Sequence, residues 1–345
     1  MIYSIGLARK QILGLGLHEA TFSVRGFATL NTGAQARLEG VAKTVIHGYN
    51  AALELGGNPS DIAAATERTR PELRGFLSEG LAMGLYTLSR FRLLGARAFW
   101  DFAGQHGGRH EYMSYIGAGL AIGVFGSSYE RFMERACPMC GCLVLDGVGF
   151  YYAMFRTKRG IRMQYVPPRI ARNPFHLERY DNGLGRALWF YASGDAATIA
   201  ATIAEFDPAR QPNIWSGVGL AATYAGGVPE DQIQQLLHFA GPHRAYLGQG
   251  SFLAAHTRYR AGNPRPDQRT VQLLTGYPGE ACHRRANEIR ARLAGRATVD
   301  GQPSFRVFLA AIRDWIAPRD PGTEVVCYGT IVQETTPTDP AAADR

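Results

Sequence analysis

The sequence predicts an all-α protein built from helical hairpins, on three observations. Apolar residues recur mostly at helical spacing, and few segments alternate as strands do. Glycines and prolines divide the chain into segments of helix length. A glycine-rich pattern recurs at intervals of 30 to 37 residues. Since a repeat of about 34 residues is typical of a helix–turn–helix unit, we predict a solenoid or a closed toroid of such units.

The first long helix has signals at both ends. Thr32 and Gln35 fit a capping box, so we predict that a helix begins at Thr32 and continues to about Leu55. The sequence Gly-Gly-Asn-Pro at 56–59 ends it, because glycine favours the end of a helix and proline cannot continue one.

Similar signals mark later helices. Ser60 or Asp61 is predicted to cap the next helix, and Pro71 suits the first turn of another that runs to about Phe91. The segment "SFRVFLAAIRDWI" (304–316) is predicted as the last amphipathic helix.

Residues 1–318 are assigned to a single all-helical repeat domain, and residues 319–345 to a flexible, mostly disordered tail. After Pro318 the chain is rich in Pro, Asp, Thr and Ala, and chain ends of this kind are rarely tied down. One short strand is predicted within the tail, at "EVVCYGTIV" (324–332).

The repeated pattern is a glycine, a second small residue two positions later, and small residues four positions apart. It occurs at 79–86, 117–125, 146–155, 182–190, 216–224 and 247–256. Small residues four apart share one helical face and let a neighbouring helix approach closely. A dinucleotide-binding loop is excluded, because that motif occurs once and has different spacing. Coincidence among the 41 glycines is the alternative explanation.

Each repeat has a residue directly before its first glycine, and four of the six are polar within apolar helices. They are Glu79, Asp146, Asn182 and Ser216. In a closed repeat these side chains would converge on an inner cavity. A buried carboxylate is either paired or keeps its proton through a raised pKa, so Glu79 and Asp146 are candidate general acids. Alternatively, they cap helices or pair with arginines such as Arg74 or Arg186.

Other residues complete the candidate site. Asp181 is a third catalytic candidate, because it is an isolated carboxylate in an apolar helix. Aromatic side chains could stabilise a cationic intermediate. The candidate substrate-binding residues are Tyr112, Phe150, Tyr151, Asn182, Trp189, Trp215, Ser216 and His243.

The segment "CPMCGC" (137–142) leaves three interpretations open: a metal site, a reactive thiol pair, or ordinary buried cysteines. A closed zinc site needs a fourth ligand, which Cys282-His283 could supply in space. The chain has no G-x-S-x-G motif, Walker loop, EF-hand loop or aspartate-rich cluster. We predict neither a metal nor a cofactor.

The net charge of +8 comes almost entirely from arginine, since the chain has three lysines. This bias is typical of a GC-rich genome, and we predict no nucleic-acid partner. The stretch 156–172 holds six basic residues and no acid. It is either a solvated linker or a docking surface for nucleic acid, a phosphate-bearing ligand or an acidic carrier protein.

The compartment is predicted to be the cytoplasm. Five cysteines, three of them crowded together, do not form a disulfide framework in 345 residues, and the first residues lack the order of a secretory signal. We also predict that no segment spans a membrane. The longest apolar run (136–155) would place Asp146 near the bilayer centre, at a cost of about 3 kcal/mol.

Seven stretches together resemble a known family. They are "SVRGFATLN" (23–31), "PELRGFLSEGLAMGL" (71–85), "HEYMSYIGAGLAIG" (110–123), "LVLDGVGFYYAMF" (143–155), "YDNGLGRALWF" (180–190), "IWSGVGLAATYAGGV" (214–228) and "AGNP" (261–264). The family is a bacterial domain of unknown function whose members are often labelled enediyne biosynthesis proteins. The resemblance spans about residues 20–316 and implies an association with genes for polyene-derived specialised metabolites. It carries no catalytic residue set, and the cysteine cluster departs from its pattern.

Two functions follow as expectations. The first is an isomerase or cyclase acting on a hydrophobic polyene, a polyketide or terpenoid, with Glu79 or Asp146 as general acid. The second is a non-catalytic helical scaffold or carrier. A lipophilic intermediate is the expected ligand, and an acyl carrier protein or a synthase is the candidate partner. An enclosed cavity holding an unpaired repeat carboxylate would favour the enzyme, whereas an open groove with both acids paired would favour the scaffold. A redox or metal protein is a third, weaker interpretation.

Overall fold

The computed structural model describes residues 2–105, 107–263 and 269–317, and most of them are helical, which confirms the all-α class. The predicted tail and its strand lie outside the described residues. The α-helices are α1 Ile2–Leu13, α2 Phe22–Arg25, α3 Thr32–Leu55, α4 Pro59–Arg68, α5 Arg74–Arg90, α6 Ala98–Gln105, α7 Gly107–Phe125, α8 Tyr129–Met133, α9 Leu143–Phe155, α10 Pro168–Ala171, α11 Pro174–Tyr191, α12 Ala196–Ala204, α13 Gln211–Tyr224, α14 Glu230–Ala240, α15 Arg244–Arg260, α16 Arg269–Thr275, α17 Gly279–Leu293 and α18 Ser304–Ile316.

Short elements connect these helices. Three are 3₁₀ turns and one is a π-helical turn: Leu17–Ala20, Pro71–Leu73, Gly241–His243 and Lys158–Arg162 respectively. Within the described part of the chain, the sheet structure is one small antiparallel hairpin, β1 Thr298–Val299 and β2 Gln302–Pro303, with Thr298 opposite Pro303.

Seven long helices pack against one another in chain order. Helix α3 packs on α5, and α5 on α7; the series continues through α9, α11 and α13 to α15. Helices α16, α17 and α18 then pack against α15. Buried apolar side chains from Phe22 to Ile312 join into one hydrophobic cluster. The core is therefore built from neighbouring helices, without a sheet at its centre.

Glycines two residues apart let a helix contact both of its neighbours closely. Residues i and i+2 are about 200° apart on a helix, so they face opposite sides. On α11, a Cβ added at Gly183 would meet the backbone oxygen of Asp146 on α9 at 1.8 Å. A Cβ added at Gly185 would meet the oxygen of Ile214 on α13 at 1.9 Å. The backbones therefore touch where any side chain would separate them.

Glycines four residues apart also allow close helix packing, as the sequence predicts, between α3 and α5. Gly80 and Gly84 of α5 both face α3, where added Cβ atoms would lie 2.0 Å from the oxygen of Val45 and 2.6 Å from the side chain of Ala52. This pair thus forms a single close-packed face, as the spacing predicts.

Helix boundaries follow the predicted signals, with two corrections. Helix α3 covers Thr32–Leu55, but its N-cap is Asn31, whose side chain accepts from the backbone of Ala34 at 2.9 Å. Helix α4 begins at Pro59, with Asn58 rather than Ser60 or Asp61 as N-cap. Both corrections have one reason: a preceding asparagine with extended backbone reaches the free N–H groups first.

Two further predictions, the last helix and the basic stretch 156–172, can be compared with the structure. Helix α18 covers the predicted residues 304–316. The basic stretch is not a plain linker, because it contains the π-helical turn Lys158–Arg162 and helix α10. None of the helices in the described ranges combines the length and the apolar character that crossing a membrane requires.

Candidate functional site

A narrow cavity lies where six of the long helices meet. Side chains from α3, α5, α7, α9, α11 and α13 line it, and Leu15, Glu19 and Ala20 cover one side. The free volume of the cavity is about 50 Å³, which is room for roughly four water molecules. The lining is mostly apolar, so any acid–base chemistry in the cavity depends on the few polar groups that reach it.

The polar end of the cavity is formed by Glu79 of α5 and Arg186 of α11. Arg186 Nη2 lies 3.5 Å from Glu79 Oε1, and Arg186 Nη1 lies 2.5 Å from Asp146 Oδ1 on α9. The Asn182 amide donates to the other oxygen of Asp146. All four side chains are buried, with exposed fractions of 5% or less. One arginine therefore serves two carboxylates and sits closer to Asp146.

This unequal sharing of Arg186 affects the pKa of Glu79. Burial raises the pKa of Glu79 to about 7, although the Arg186 charge lowers it; the neighbouring Asp146 charge raises it further. Around neutral pH this carboxyl therefore keeps its proton in a substantial part of the molecules. For Arg186, burial lowers the pKa, but Asp146 and Glu79 more than offset that and raise it above its ordinary value. The group that can give up a proton is Glu79.

Aromatic rings form much of the cavity wall beside this acid. Phe76, Phe150, Phe190 and Tyr224 all line it. The Arg186 guanidinium carbon lies 5.0 Å from the ring centre of Phe150, a cation–π distance. The Tyr224 hydroxyl is buried without a hydrogen-bond partner among the described residues. An aromatic wall and a free hydroxyl next to a carboxylic acid suit an apolar ligand that carries or develops positive charge.

A basic rim, formed by the residues of one surface groove, adjoins the cavity on one side. Phe155 and Met154 of α9 line both the cavity and an adjoining surface groove. Arg25 lies over the Phe155 ring at 4.3 Å and bonds to Glu19 at 2.8 Å. The remaining basic residues of that groove come from the basic stretch: Arg156, Lys158 and Arg159. Three of the six basic residues of the stretch therefore line a groove that shares Met154 and Phe155 with the cavity.

The structure brings together part of the predicted site. Glu79 and Phe150 line the cavity, and Asp146 and Asn182 lie behind Arg186. Arg186 was anticipated as a partner of the carboxylates, and it bonds to both. Ser216 lies apart, because it accepts from Gln249 at 2.8 Å.

The other predicted residues do not line this cavity. Asp181 forms a bidentate bond to Arg210, with contacts of 2.5 to 3.1 Å. The Trp189 indole donates to Gly226, and the Tyr151 hydroxyl accepts from Arg156. The remaining ones are a buried Tyr112 beside Arg290, a buried Trp215, and a half-buried His243 in a 3₁₀ turn.

Sequence reasoning missed several lining residues, among them Tyr49, Phe76 and Tyr224. Tyr224 ends the predicted repeat segment 216–224, and Phe76 precedes Glu79 by one helical turn. Their spacing from the repeat residues was a usable signal, because residues three or four apart share a helix face. Glu19 carried no such signal, since it lies in a connecting turn.

The cysteine cluster, for which a metal site was one of three interpretations, brings together two cysteines and one carboxylate. Among the described residues, the Glu111 carboxylate lies next to Cys137 and Cys140. One oxygen of Glu111 and the two sulfur atoms are all within 4.8 Å of one another. Cys142 points to the backbone oxygen of Met139. Cys282-His283, which could have supplied a fourth ligand, does not join this group: Cys282 lies beside Thr275, and His283 lies against His256 with 3.1 Å between their Nδ1 atoms.

Fold and site define a helical protein with a buried carboxylic acid at the polar end of an apolar cavity. Residues 4–316 match the family model described as "Protein of unknown function (DUF1702)", and the chain belongs to this family. This confirms the predicted membership of a family of unknown function. Comparison with curated proteins and with solved structures gave no match.

Proposed function

We propose that this protein binds a hydrophobic polyene in the cavity and isomerises or cyclises it, with Glu79 as general acid. The observation that carries the proposal is a buried carboxyl with a pKa of about 7, facing an apolar cavity while its arginine neighbour is held by Asp146. A general acid works best when its pKa is close to the working pH.

The residues have distinct roles in this proposal. Glu79 donates its proton to a carbon–carbon double bond, which leaves a carbocation on the ligand. The rings of Phe76, Phe150 and Phe190 stabilise that cation through their faces. Arg186 stabilises the Glu79 carboxylate as it forms. Loss of a proton from the ligand back to Glu79 completes the cycle, so an isomerisation consumes no other reagent.

The ligand needs more space than the cavity now offers. Pockets for small molecules usually measure about 300–1,000 Å³, whereas about 50 Å³ is open here. We propose that the cover formed by Leu15 to Ala20 moves outward and that Met83 and Met154 adjust, because methionine side chains are flexible. Two hydrogen bonds to Asn50 hold Leu15 in the closed position, at 3.0 and 2.8 Å.

The biological setting belongs to the proposal as well. The resemblance to proteins labelled as enediyne biosynthesis proteins supports a polyene from specialised metabolism, handled in the cytoplasm. The basic rim supports delivery by an acyl carrier protein, since such a partner presents acidic residues. The chain-order packing and the shared cavity support a closed toroid of helical repeats as the architecture.

A carrier function is the second candidate. The small free volume favours it, because a cavity that closes tightly suits storage of a reactive molecule. In that case Glu79 would only bond to a polar end of the ligand. The two candidates share the binding site and differ in whether the bound molecule changes.

Both are tested by purifying the protein from a host that carries the surrounding biosynthetic genes. Native mass spectrometry reports a bound molecule, and its chromatographic retention and absorption spectrum report isomerisation, which leaves mass unchanged. We expect Ala221→Phe, which fills the cavity, to abolish binding. We expect Glu79→Gln to retain the unconverted ligand, whereas Glu178→Gln, which alters a surface ion pair of the same helix series, converts it normally.

Each outcome separates the candidates. An identical bound molecule in wild type and Glu79→Gln contradicts the enzyme and leaves the carrier. No bound molecule in any variant, together with co-purification of a synthase, contradicts both and favours a scaffold. Circular dichroism of each variant shows that the fold is retained.

A further inference from the structure

A second cluster of reactive side chains lies away from the cavity, in the turn between α8 and α9. Cys137 and Cys140 are separated by two residues, and both sulfur atoms lie within 4.8 Å of each other and of the Glu111 carboxylate. The turn is closed like the start of a helix, because Gly141 N–H donates to the Cys137 oxygen at 2.8 Å. Two cysteines separated by two residues are the arrangement found in Cys-X-X-Cys redox motifs.

The two cysteines differ in access. Cys137 is half-buried, and its neighbours Arg135 and Pro138 are exposed, so it lies closer to the surface than Cys140. Cys140 is completely buried. In thiol–disulfide exchange one cysteine attacks an external disulfide and the second resolves the mixed disulfide from inside. A half-buried Cys137 followed by a fully buried Cys140 suits this division, with Cys137 as the attacking and Cys140 as the resolving cysteine.

The surroundings activate Cys137. The Cys140 thiol and the backbone N–H groups of Cys140 and Met139 donate to its sulfur; although burial opposes them, they lower the pKa of Cys137 to about 6. The same hydrogen bond and burial raise the pKa of Cys140 well above its ordinary value. At neutral pH Cys137 is therefore mostly a thiolate, while Cys140 keeps its proton for the second step.

Glu111 is placed to take that proton. Its carboxylate accepts from Arg260 at 2.8 Å and from the Tyr115 hydroxyl at 3.3 Å, and that hydroxyl in turn accepts from Cys137 N–H at 3.1 Å. These bonds tie the acid to the cysteine turn. A metal cation is disfavoured at this place, because the positive charges of Arg260 and Arg290 already lie beside Glu111 and Cys140.

We propose that Cys137 and Cys140 form a redox-active dithiol that exchanges with disulfides. The Cys137 thiolate attacks one sulfur of a disulfide, which forms a mixed disulfide and releases one thiolate. Cys140 then passes its proton to Glu111 and attacks the Cys137 sulfur, which releases the second thiolate. The protein dithiol is oxidised to a Cys137–Cys140 disulfide, and the external disulfide is reduced to two thiols once the released thiolates take up protons. The reverse sequence reduces the protein again.

The probe for this proposal is oxidised glutathione mixed with reduced glutathione at graded ratios. After acid quenching and alkylation, mass spectrometry counts free thiols, and peptide mapping locates disulfides, including any that involve Cys327. We expect a reversible Cys137–Cys140 disulfide in the wild type and in Cys142→Ser and Cys282→Ser. Cys140→Ser should instead accumulate glutathione on Cys137, because the resolving thiol is gone.

The rate of alkylation gives a second readout. In the reduced wild-type protein, iodoacetamide should label Cys137 at least tenfold faster than Cys142 at pH 7, and this rate should fall as pH drops through about 6. Equal labelling of all cysteines, or absence of the disulfide at every glutathione ratio, would overturn the proposal. One tightly bound zinc ion that protects both thiols would also overturn it, in favour of a metal site. These outcomes do not depend on the cavity or its ligand.

Discussion

Arg186 bonds to Asp146 at 2.5 Å but approaches Glu79 only to 3.5 Å, so one buried cation is shared unequally by two buried acids. If both acids were ionised, the cluster would carry an excess negative charge in a poorly solvated place. Such a charge is expensive to bury. The excess is relieved at Glu79, because its bond to Arg186 is the weaker one. The chemical difference between the two acids thus arises from their distance to a single guanidinium.

The first prediction concerns the pH dependence of stability. Glu79 has a pKa of about 7 in the folded state and 4.5 as an ordinary glutamate. The folded state therefore binds more protons between these values, and its stability falls as pH rises from 4.5 to 7. Glu79→Gln removes this loss. Relative to wild type, the variant should gain up to about 3 kcal/mol between pH 5 and pH 8, measured by urea unfolding.

Glu39→Gln is the matched control for that experiment. Burial raises the pKa of Glu39, but hydrogen bonds from Gln35, the Phe22 backbone and Lys43 outweigh it and lower the pKa overall. The sign is therefore opposite: Glu39→Gln should lose stability relative to wild type as pH rises through the carboxyl range to about 4.5, and the difference should stay constant between pH 5 and pH 8. A Glu79→Gln difference that is the same at pH 5 and pH 8 would contradict the raised pKa.

The second prediction concerns the ion pair. Arg186→Met leaves Asp146 charged, buried and without its cation, which should cost about 3–5 kcal/mol of unfolding free energy. Adding Asp146→Asn removes the stranded charge and should recover more than half of that loss. Arg306→Met, which breaks the half-exposed pair with Glu178, should cost less than about 1 kcal/mol. Additive effects of Arg186→Met and Asp146→Asn would show that the two side chains do not interact.

The third prediction concerns the close packing of helices. Gly183→Ala places a Cβ 1.8 Å from the backbone oxygen of Asp146, so α9 and α11 must separate. We expect a loss of about 1–3 kcal/mol or more. Gly40 lies within α3 with nothing within 4 Å of an added Cβ, and Gly40→Ala should gain about 0.5–1 kcal/mol from helix propensity. Thermal unfolding of both variants measures the contrast, and equal effects would argue against backbone contact at Gly183.

The fourth prediction separates Asp181 from the acid of the cavity. Burial raises the pKa of Asp181 to about 6, although Arg210 opposes this. Its pKa therefore resembles that of a general acid, yet the side chain does not line the cavity. Asp181→Asn should therefore leave ligand binding and conversion intact, as measured by the native mass spectrometry and chromatography used for Glu79→Gln. If conversion is lost and the fold and binding are retained, the proton donor has been assigned to the wrong acid.

Much of the fold could be predicted because its determinants are local. The ends of α3 and the whole of α18 follow from capping residues, glycine, proline and helical periodicity. The glycine pattern correctly indicated close helix packing. The N-caps were misplaced by one to three residues, because Asn31 and Asn58 compete with neighbouring polar side chains for the same backbone N–H groups.

The candidate site was harder to predict. Glu79, Asp146 and Asn182 were selected by their equivalent place before a repeat glycine, and they do meet around Arg186. Asp181, Trp189 and Trp215 were selected by residue type alone, and none of them lines the cavity. An aromatic or acidic side chain in an apolar helix faces a core in many orientations, so residue type does not determine which space it borders.

Chain order and local chemistry therefore determined the helices, the glycines at their close contacts, and the acids that directly precede some of those glycines. The tertiary structure decided what those acids can do. Glu79 and Asp146 each stand directly before a glycine of the recurring sequence pattern, yet only the packing of α5, α9 and α11 sets their distances to Arg186. Likewise, Glu111 meets Cys137 and Cys140 only because α7 packs beside the turn before α9. Proton affinity depends on burial and on the distance to other charges, and both quantities exist only in the folded chain.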